Sequence, residues 1–380
     1  MAATQPNGLQ FGKKSQGKPT RAESAGVMQT LQGWMAQTWH YLKKGVLGFF
    51  RGIEIGYDKV KMGITISLGL MTFLPLPQRL RQYIESKFLF GPIKASHVSL
   101  IKDPQLRKKI IDSTFDMTQF QQALGSSGLK LQFPQDDVRL SVWHIKGKNG
   151  MPTVVFSHGR GGNNSHQEHV MKALTQKGFG VVIYDYPGFG QSSGYPTEPG
   201  LLKSSLATCL YVQKELKIPI SQQILMGTSL GSMISTDTAN RLEKTPALCQ
   251  DGKPPMALIL TSTFPSLKDA FVYKRDRIFS PLRYLFDENK LTLQLNTLAS
   301  LKQVRKTPIL MLQGDKDKDT PVYMARNMAR QLHPAIRAKS ALRILKNSPH
   351  RLRDRAYSQI TIEMAQFLKD RDCPLPLDTR

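Results

Sequence analysis

Ser229 stands in Gly227-Thr228-Ser229-Leu230-Gly231, a G-x-S-x-G in which each glycine lies two residues from the serine. A serine hydroxyl is a weak nucleophile unless a base takes its proton and donors receive the oxyanion that its attack creates. The spacing suits a sharp strand-to-helix turn. Side chains at the flanking positions would collide with the backbone there, and glycine leaves the hydroxyl exposed above the sheet. Ile224, Leu225 and Met226 form a short apolar run before the turn, and residues 232–241 can continue as a helix.

A base and a carboxylate to orient it must come from elsewhere in the chain. Two histidines follow Ser229. His333 falls at the end of a helix expected over residues 322–332, whereas His350 lies in Asn347-Ser348-Pro349-His350, directly after the last apolar run, so His350 is the expected base. For the acid, residues 309–312 open into Gln313-Gly314-Asp315-Lys316-Asp317-Lys318-Asp319-Thr320-Pro321, and on chemistry alone any of the three aspartates could serve. Ser157-His158-Gly159-Arg160-Gly161-Gly162-Asn163-Asn164 can turn backbone N–H groups toward a ligand. The expected oxyanion donors are the N–H of Arg160 in this loop and that of Leu230, the residue after the serine. His158 is expected to pack beneath the turn.

Other chemistries fit less well. The glycines at 159–162 are not followed by Gly-Lys-Ser/Thr, which excludes a phosphate cradle. In Asp185-Tyr186-Pro187-Gly188-Phe189-Gly190-Gln191-Ser192-Ser193-Gly194 the third glycine falls one place late for a dinucleotide fingerprint, so Asp185 is expected to close a turn. His166 and His169 lack the H-E-x-x-H order and read as surface residues; no metal or other cofactor is expected.

The elements that must position these groups alternate strand with helix. Leu129, Leu131 and Phe133, then Val138, Leu140 and Val142, predict a half-exposed antiparallel pair. Continuous apolar runs at 153–156, 179–184, 224–226, 257–260, 309–312 and 342–345 predict strands covered on both faces. The fold class is therefore α/β, a mostly parallel central sheet flanked by helices, with active groups beyond the carboxyl ends of the strands.

This order of elements resembles the α/β-hydrolase superfamily, in which nucleophile, acid and histidine follow one another along the chain. The resemblance covers about residues 129–370. Residues 157–163 are similar to its oxyanion loop, 185–192 to the tight turn after its fourth strand and 227–231 to its nucleophile elbow. The family's acid loop commonly runs Gly-x-x-Asp-x-x-Val-Pro, which on Gly314 to Pro321 selects Asp317 and puts Thr320 in the place of valine. Gln313 stands where a histidine often precedes that glycine, and Pro349 precedes His350 where the family usually has glycine. The resemblance implies a serine hydrolase that cleaves a carboxylic ester or thioester through Ser229, His350 and Asp317 by way of an acyl-enzyme. Within the superfamily the chain is similar to small-lid serine hydrolases with membrane-associated N-termini and, more faintly, to the chlamydial hydrolase-like proteins of this size. The lid of this fold normally follows the sixth strand, here residues 265–306, where aromatic residues stand among Lys and Arg and suit an acyl chain with an acidic head group. The competing expectation, hinted at by Pro349, is a membrane-associated scaffold that keeps the fold without activity.

The formal net charge of +25 in 380 residues is spread along the chain. Residues 326–355 alone carry nine Lys or Arg against one acid, Asp354. With no nucleic-acid motif present, the expected partners are an acyl ester or lipid substrate and an anionic membrane surface rather than nucleic acid. Residues 1–25 have no apolar block beside their basic residues, so no secretory signal is expected and the segment is expected to be disordered. Residues 27–50 set aromatics beside lysines, as an interfacial helix would. The uncharged stretch 62–78 is shorter than the roughly 20 apolar residues of a spanning helix and is broken by Pro75 and Pro77, which predicts a membrane-dipping or interfacial segment. Residues 26–125 are thus expected to form a helical, membrane-associated region, Gly125-Ser126-Ser127-Gly128 a linker, and residues 126–380 the hydrolase domain. Three cysteines, Cys209, Cys249 and Cys373, are odd in number and far apart, which points to a reducing compartment such as the cytoplasm.

Overall fold

The computed structural model describes residues 96–128, 138–275, 294–352 and 354–371. The expectations for residues 1–25, 27–50 and 62–78, for a strand at 129–133 and for most of the lid lie outside them.

Eight strands form one sheet in the order β1-β2-β4-β3-β5-β6-β7-β8. They are β1 Ile111–Asp116, β2 Arg139–Ile145, β3 Thr153–Ser157, β4 Gly180–Tyr184, β5 Gln223–Thr228, β6 Ala257–Thr261, β7 Ile309–Gly314 and β8 Ala341–Leu345. β2 runs antiparallel to β1 and to β4, and from β4 to β8 every pairing is parallel. The helices are α1 Pro104–Lys109, α2 Gln121–Ser126, α3 Glu168–Gln176, α4 Glu198–Lys214, α5 Leu230–Lys244, α6 Leu267–Arg275, α7 Thr297–Leu301, α8 Val322–Arg330, α9 Pro334–Arg337 and α10 Asp354–Lys369.

The apolar runs become strands because both faces of the sheet are covered. Along β3, Val155 enters one apolar layer while Val154 and Phe156 enter the other; along β5, Leu225 parts in the same way from Ile224 and Met226. Residues of α4, α5 and α8 close the first layer, and those of α3 and α10 the second. Full burial of a Val, Leu, Ile or Phe side chain contributes about 1.5–3 kcal/mol, so a strand apolar on both faces gains most at the centre of such a sandwich.

Among the described residues the sheet begins earlier in the chain than the alternating pattern pointed. β2 holds Leu140 and Val142, but it is buried from Leu140 to Ile145 rather than half-exposed, because it lies inside the sheet with apolar layers on both sides. Its outer partner is β1, which precedes Gly125-Ser126-Ser127-Gly128. The sequence IDSTFD shows no apolar alternation: Phe115 alone is buried in this edge strand and Ile111 is exposed. Gly125 and Ser126 end α2, and the Ser127 carbonyl accepts a hydrogen bond from Arg241 Nη1 of α5 at 2.9 Å, so this stretch is tied to the domain.

Candidate active site

β5 delivers Ser229 and α5 leaves from it. Ser229 has φ 52° and ψ −117°, a left-handed backbone that a serine adopts only when its surroundings hold it there. Its N–H donates to the Thr261 carbonyl at 3.0 Å, next to the end of β6. The two glycines are required by close approach: a Cβ on Gly227 would fall into the Gly231 carbonyl, and one on Gly231 into the carbonyl of Ser157. Leu230 opens α5, so its N–H is among the first four that a helix leaves without an internal acceptor.

His350 meets both of its expected partners. Its Nε2 lies 3.2 Å from Ser229 Oγ, and its Nδ1 lies 2.9 Å from Asp317 Oδ2 and 3.1 Å from Oδ1. A carboxylate against Nδ1 fixes the proton there and leaves Nε2 as the acceptor that faces the serine hydroxyl. Burial alone would push the Asp317 carboxyl up, but the hydrogen bond and charge of His350, with the N–H and hydroxyl of Thr320, hold it below the usual carboxylate range. The other candidates lie elsewhere. His333 caps α9, its Nδ1 accepting from Ala335 N–H; the Asp315 carboxylate accepts the Ser348 N–H; and the charge of Asp319 acts on Arg160.

Pro349 does not dislodge the histidine, because the loop is pinned on either side of it. Asp315 N–H donates to the Leu345 carbonyl and Lys316 N–H to the Ser348 carbonyl, each at 3.1 Å. The turn itself is made at Asn347, with φ 55°. A further bracket escaped the sequence reading. Ser262 directly follows β6 with φ 48°; its hydroxyl donates to the His350 carbonyl at 3.3 Å, and its own carbonyl lies 3.3 Å from Thr320 Oγ1. Together with the Ser229 bond to Thr261, the end of β6 thus ties the serine turn, the acid loop and the histidine loop to one another. Nothing in Thr261-Ser262-Thr263 marks this role beyond its place at the carboxyl end of a strand.

The loop after β3 lies against the serine turn: a Cβ built on Gly159 would stand 3.6 Å from the Ser229 Cβ. Arg160, the next residue, is exposed. His158 is buried beneath, its ring 4.2 Å from that of Tyr186 and 5.4 Å from that of Phe189, with its carbonyl accepting from Tyr186 Oη at 2.7 Å. Burial pushes its imidazole down to about 4, so it is neutral near pH 7. Asp185 does more than close a turn. Its buried carboxylate accepts the N–H of Asn164 at 2.8 Å and of Gln191 at 3.3 Å, which joins the loop after β3 to the loop after β4. Burial, only partly offset by those two bonds, raises it to about 6.

His166 is exposed with Nδ1 on Asn163 Oδ1 at 2.6 Å, and His169 packs on Tyr357 with ring centroids 4.8 Å apart. Among the described residues no group of three or more His, Cys, Asp or Glu could hold a metal ion, and no helix is long and apolar enough to cross a membrane. In the described part of the lid, Phe271 of α6 is buried and Tyr273 stacks edge-on against the exposed Tyr323 at 6.2 Å.

The family model for the alpha/beta hydrolase fold matches residues 152–250, from β3 through the serine turn and α5. Protein ABHD12B of Homo sapiens is 27% identical over 234 residues, an alignment that spans 55% of this chain and 62% of that relative, a little under two thirds of it. The lysophosphatidylserine lipase ABHD12 of Rattus norvegicus is 25% identical over 361 residues, spanning 84% of this chain and 77% of that one. Among solved structures, an alpha-beta hydrolase of Vibrio vulnificus superposes with a TM-score of 0.58 at 19% identity, covering 78% of this chain and 95% of that one. A mostly parallel eight-stranded sheet, a serine at a strained strand-to-helix turn and these likenesses in sequence and backbone give the chain the alpha/beta hydrolase fold.

Proposed function

We propose that this chain is a serine hydrolase that cleaves a carboxylic ester or thioester of an acyl lipid through an acyl-enzyme. His350 Nε2 takes the Ser229 hydroxyl proton as Oγ bonds to the acyl carbon, and the carbonyl pair moves onto oxygen, where the N–H groups of Arg160 and Leu230 receive it. Collapse breaks the bond to the alcohol or thiol, which leaves with the proton from His350. Water then gives a proton to His350 and adds to the acyl carbon, and the acid departs as Ser229 recovers its proton. Asp317 holds the imidazole in the required tautomer and stabilises its charged form. The observation that carries this reading is the contact of one imidazole with a serine hydroxyl at 3.2 Å and a carboxylate at 2.9 Å.

The lipid part of the reading draws on relatives named lysophosphatidylserine lipase and on the aromatic, basic composition of residues 265–306. It includes an anionic membrane surface as partner. Arg326, Arg330 and Arg337 line an open groove of about 430 Å³ with Ala329 and Leu342, with no carboxylate among the described lining residues. The chain segment before Ser96 is taken as the membrane-associated region. Cys209 and Cys249 are free and buried, which fits a reducing compartment such as the cytoplasm.

Wild-type protein is expected to be labelled covalently by a fluorophosphonate probe and to hydrolyse short p-nitrophenyl esters. Ser229→Ala abolishes the labelling and His350→Ala the turnover. Labelling that persists in folded Ser229→Ala assigns the nucleophile elsewhere, and a wild type that neither labels nor turns over any ester is the inactive scaffold.

A further inference from the structure

Gln313 and Thr320 are two places where this chain departs from the acid-loop pattern it otherwise follows, and in space they meet around one carboxylate. Gln313, fully buried in β7, donates from Nε2 to Asp317 Oδ2 at 2.9 Å and to the Thr320 carbonyl. Two acceptors fix the amide's orientation, since turning it over would set its oxygen against both. Its Oε1 has no hydrogen-bond partner among the described residues. Thr320 Oγ1 lies 2.7 Å from Asp317 Oδ2, 3.2 Å from His350 Nδ1 and 3.3 Å from the Ser262 carbonyl. Its single proton goes to the carboxylate, the nearest of these acceptors and the charged one. On the other oxygen, the N–H groups of Thr320 and Asp319 reach Asp317 Oδ1 at 2.7 and 2.9 Å.

An ionised carboxylate offers about four lone-pair sites. Gln313 Nε2, Thr320 Oγ1 and the two backbone N–H groups fill that number before the Nδ1–H of His350 is added. We propose that Gln313 and the Thr320 hydroxyl are positioning residues that set how strongly Asp317 acts on His350: by saturating the carboxylate they weaken its hold on the imidazolium, so that the base is freed at lower pH than apolar residues at these two places would allow. This rests on the reading of Ser229, His350 and Asp317 as the reacting group. Thr320 Oγ1 also faces Nδ1 as an acceptor, but at 3.2 Å this opposing contact is longer, and so weaker, than the 2.7 Å bond to the carboxylate. The remaining charges near the loop are Asp315 on Ser348 N–H, Asp319 with Arg160, and Lys316, Lys318 and Arg351 beside the two residues; the substitutions below leave all of them in place.

The test follows the C2–H resonance of His350, identified by its loss in His350→Gln, through a proton NMR titration of the full chain. Wild type, Thr320→Val, Thr320→Ser and Gln313→Met are compared, each checked for folding by circular dichroism. Thr320→Val keeps the shape of the side chain and Thr320→Ser keeps the hydroxyl. The midpoint is expected to rise by about half a pH unit in Thr320→Val and in Gln313→Met and to stay at the wild-type value in Thr320→Ser, with the acid limb of kcat/KM moving in step. A midpoint unchanged or lowered in whichever of the two variants folds overturns the proposal. So does a fall in kcat/KM at every pH with the limb unmoved. Because the resonance titrates whether or not the chain turns over an ester, a shifted midpoint in a protein that no fluorophosphonate labels keeps the clamp and discards the reaction.

Discussion

With His350 as the proposed base, its action depends on what stands on its two sides, so changes to either neighbour should act through it. In Asp317→Asn the geometry can persist, but an amide in place of the carboxylate favours the wrong tautomer and cannot stabilise the imidazolium, and kcat is expected to fall by about 10⁴-fold with KM little changed. Steady-state kinetics on a p-nitrophenyl ester measure this. Asp317 and Asp185 are both buried carboxylates, yet they load stability in opposite senses. Asp317, held low by His350 and Thr320 against its burial, contributes stability that is present above the unfolded value near 3.8 and is lost as pH falls through its folded value. Asp185, raised to about 6 by burial, binds a proton in the fold that the unfolded chain has already released, so its contribution declines as pH rises from about 4 to about 6. Asp185→Asn removes that titration. The stability advantage of wild type over Asp185→Asn, measured by urea unfolding, is therefore expected to be larger near pH 4 than at pH 7.

The serine turn works because β5 and α5 approach β3 with no side chain between them. A methyl at Gly231 would overlap the carbonyl of Ser157, which belongs to a strand paired on both sides and has nowhere to retreat. Gly231→Ala is expected to cost about 2–4 kcal/mol in urea unfolding and to slow fluorophosphonate labelling of whatever remains folded. At Gly161 a Cβ would meet no atom within 4 Å, so Gly161→Ala in the same neighbourhood is expected to change stability by less than about 0.5 kcal/mol. Such elements were legible in the sequence where burial on both faces forces an apolar run, as in β3 to β7; β8, at the far edge of the sheet, buries only Leu345 and leaves Arg343 exposed, so it is not covered on both faces as expected. β1 was not, because an edge strand with one buried side chain, Phe115, is under no such demand and reads as polar. The loops after β5, β7 and β8 could be searched for Ser229, Asp317 and His350 because chemistry restricts the residue types that serve. The bracket at Ser262 could not, since its contacts with the histidine and acid loops use main-chain groups and a common hydroxyl whose partners lie 88 and 58 residues away. Asp185 was visible as a turn residue, but its link to Asn164 depends on two loops meeting across the sheet.

Across the whole molecule the excess of positive charge should decide which surface the site meets. α8 begins two residues after Thr320, and Tyr323 in its first turn is exposed and packs against Tyr273 of α6. Arg326 and Arg330 follow at i+3 and i+7 from Tyr323, a span of about 10 Å along the helix, and both line the groove with Arg337. Arg337 is held by the carbonyls of Arg330 and Leu332, at 3.2 and 3.0 Å, which leaves Arg326 and Arg330 as the residues to change without loosening α9. A bilayer lying along α8 would bring an acyl lipid to the rim where Ser229 opens, and basic residues near an anionic surface are worth about 1 kcal/mol each. Full-length protein is expected to float with vesicles containing phosphatidylserine and to do so less with phosphatidylcholine alone. Arg326→Glu with Arg330→Glu should weaken that binding by about tenfold or more, since two attractions become repulsions. Salt of about 1 M should reduce the wild type toward the variant, because the Debye length then shrinks to about 3 Å. A chain starting at Ser96 retains β1 and all the sheet, whereas one starting at Gly125 would lack that strand, so the shorter protein for this comparison is the former. Equal flotation of the charge-reversed and wild-type proteins would remove α8 from the membrane contact, and equal flotation of the full and shortened chains would remove the segment before Ser96.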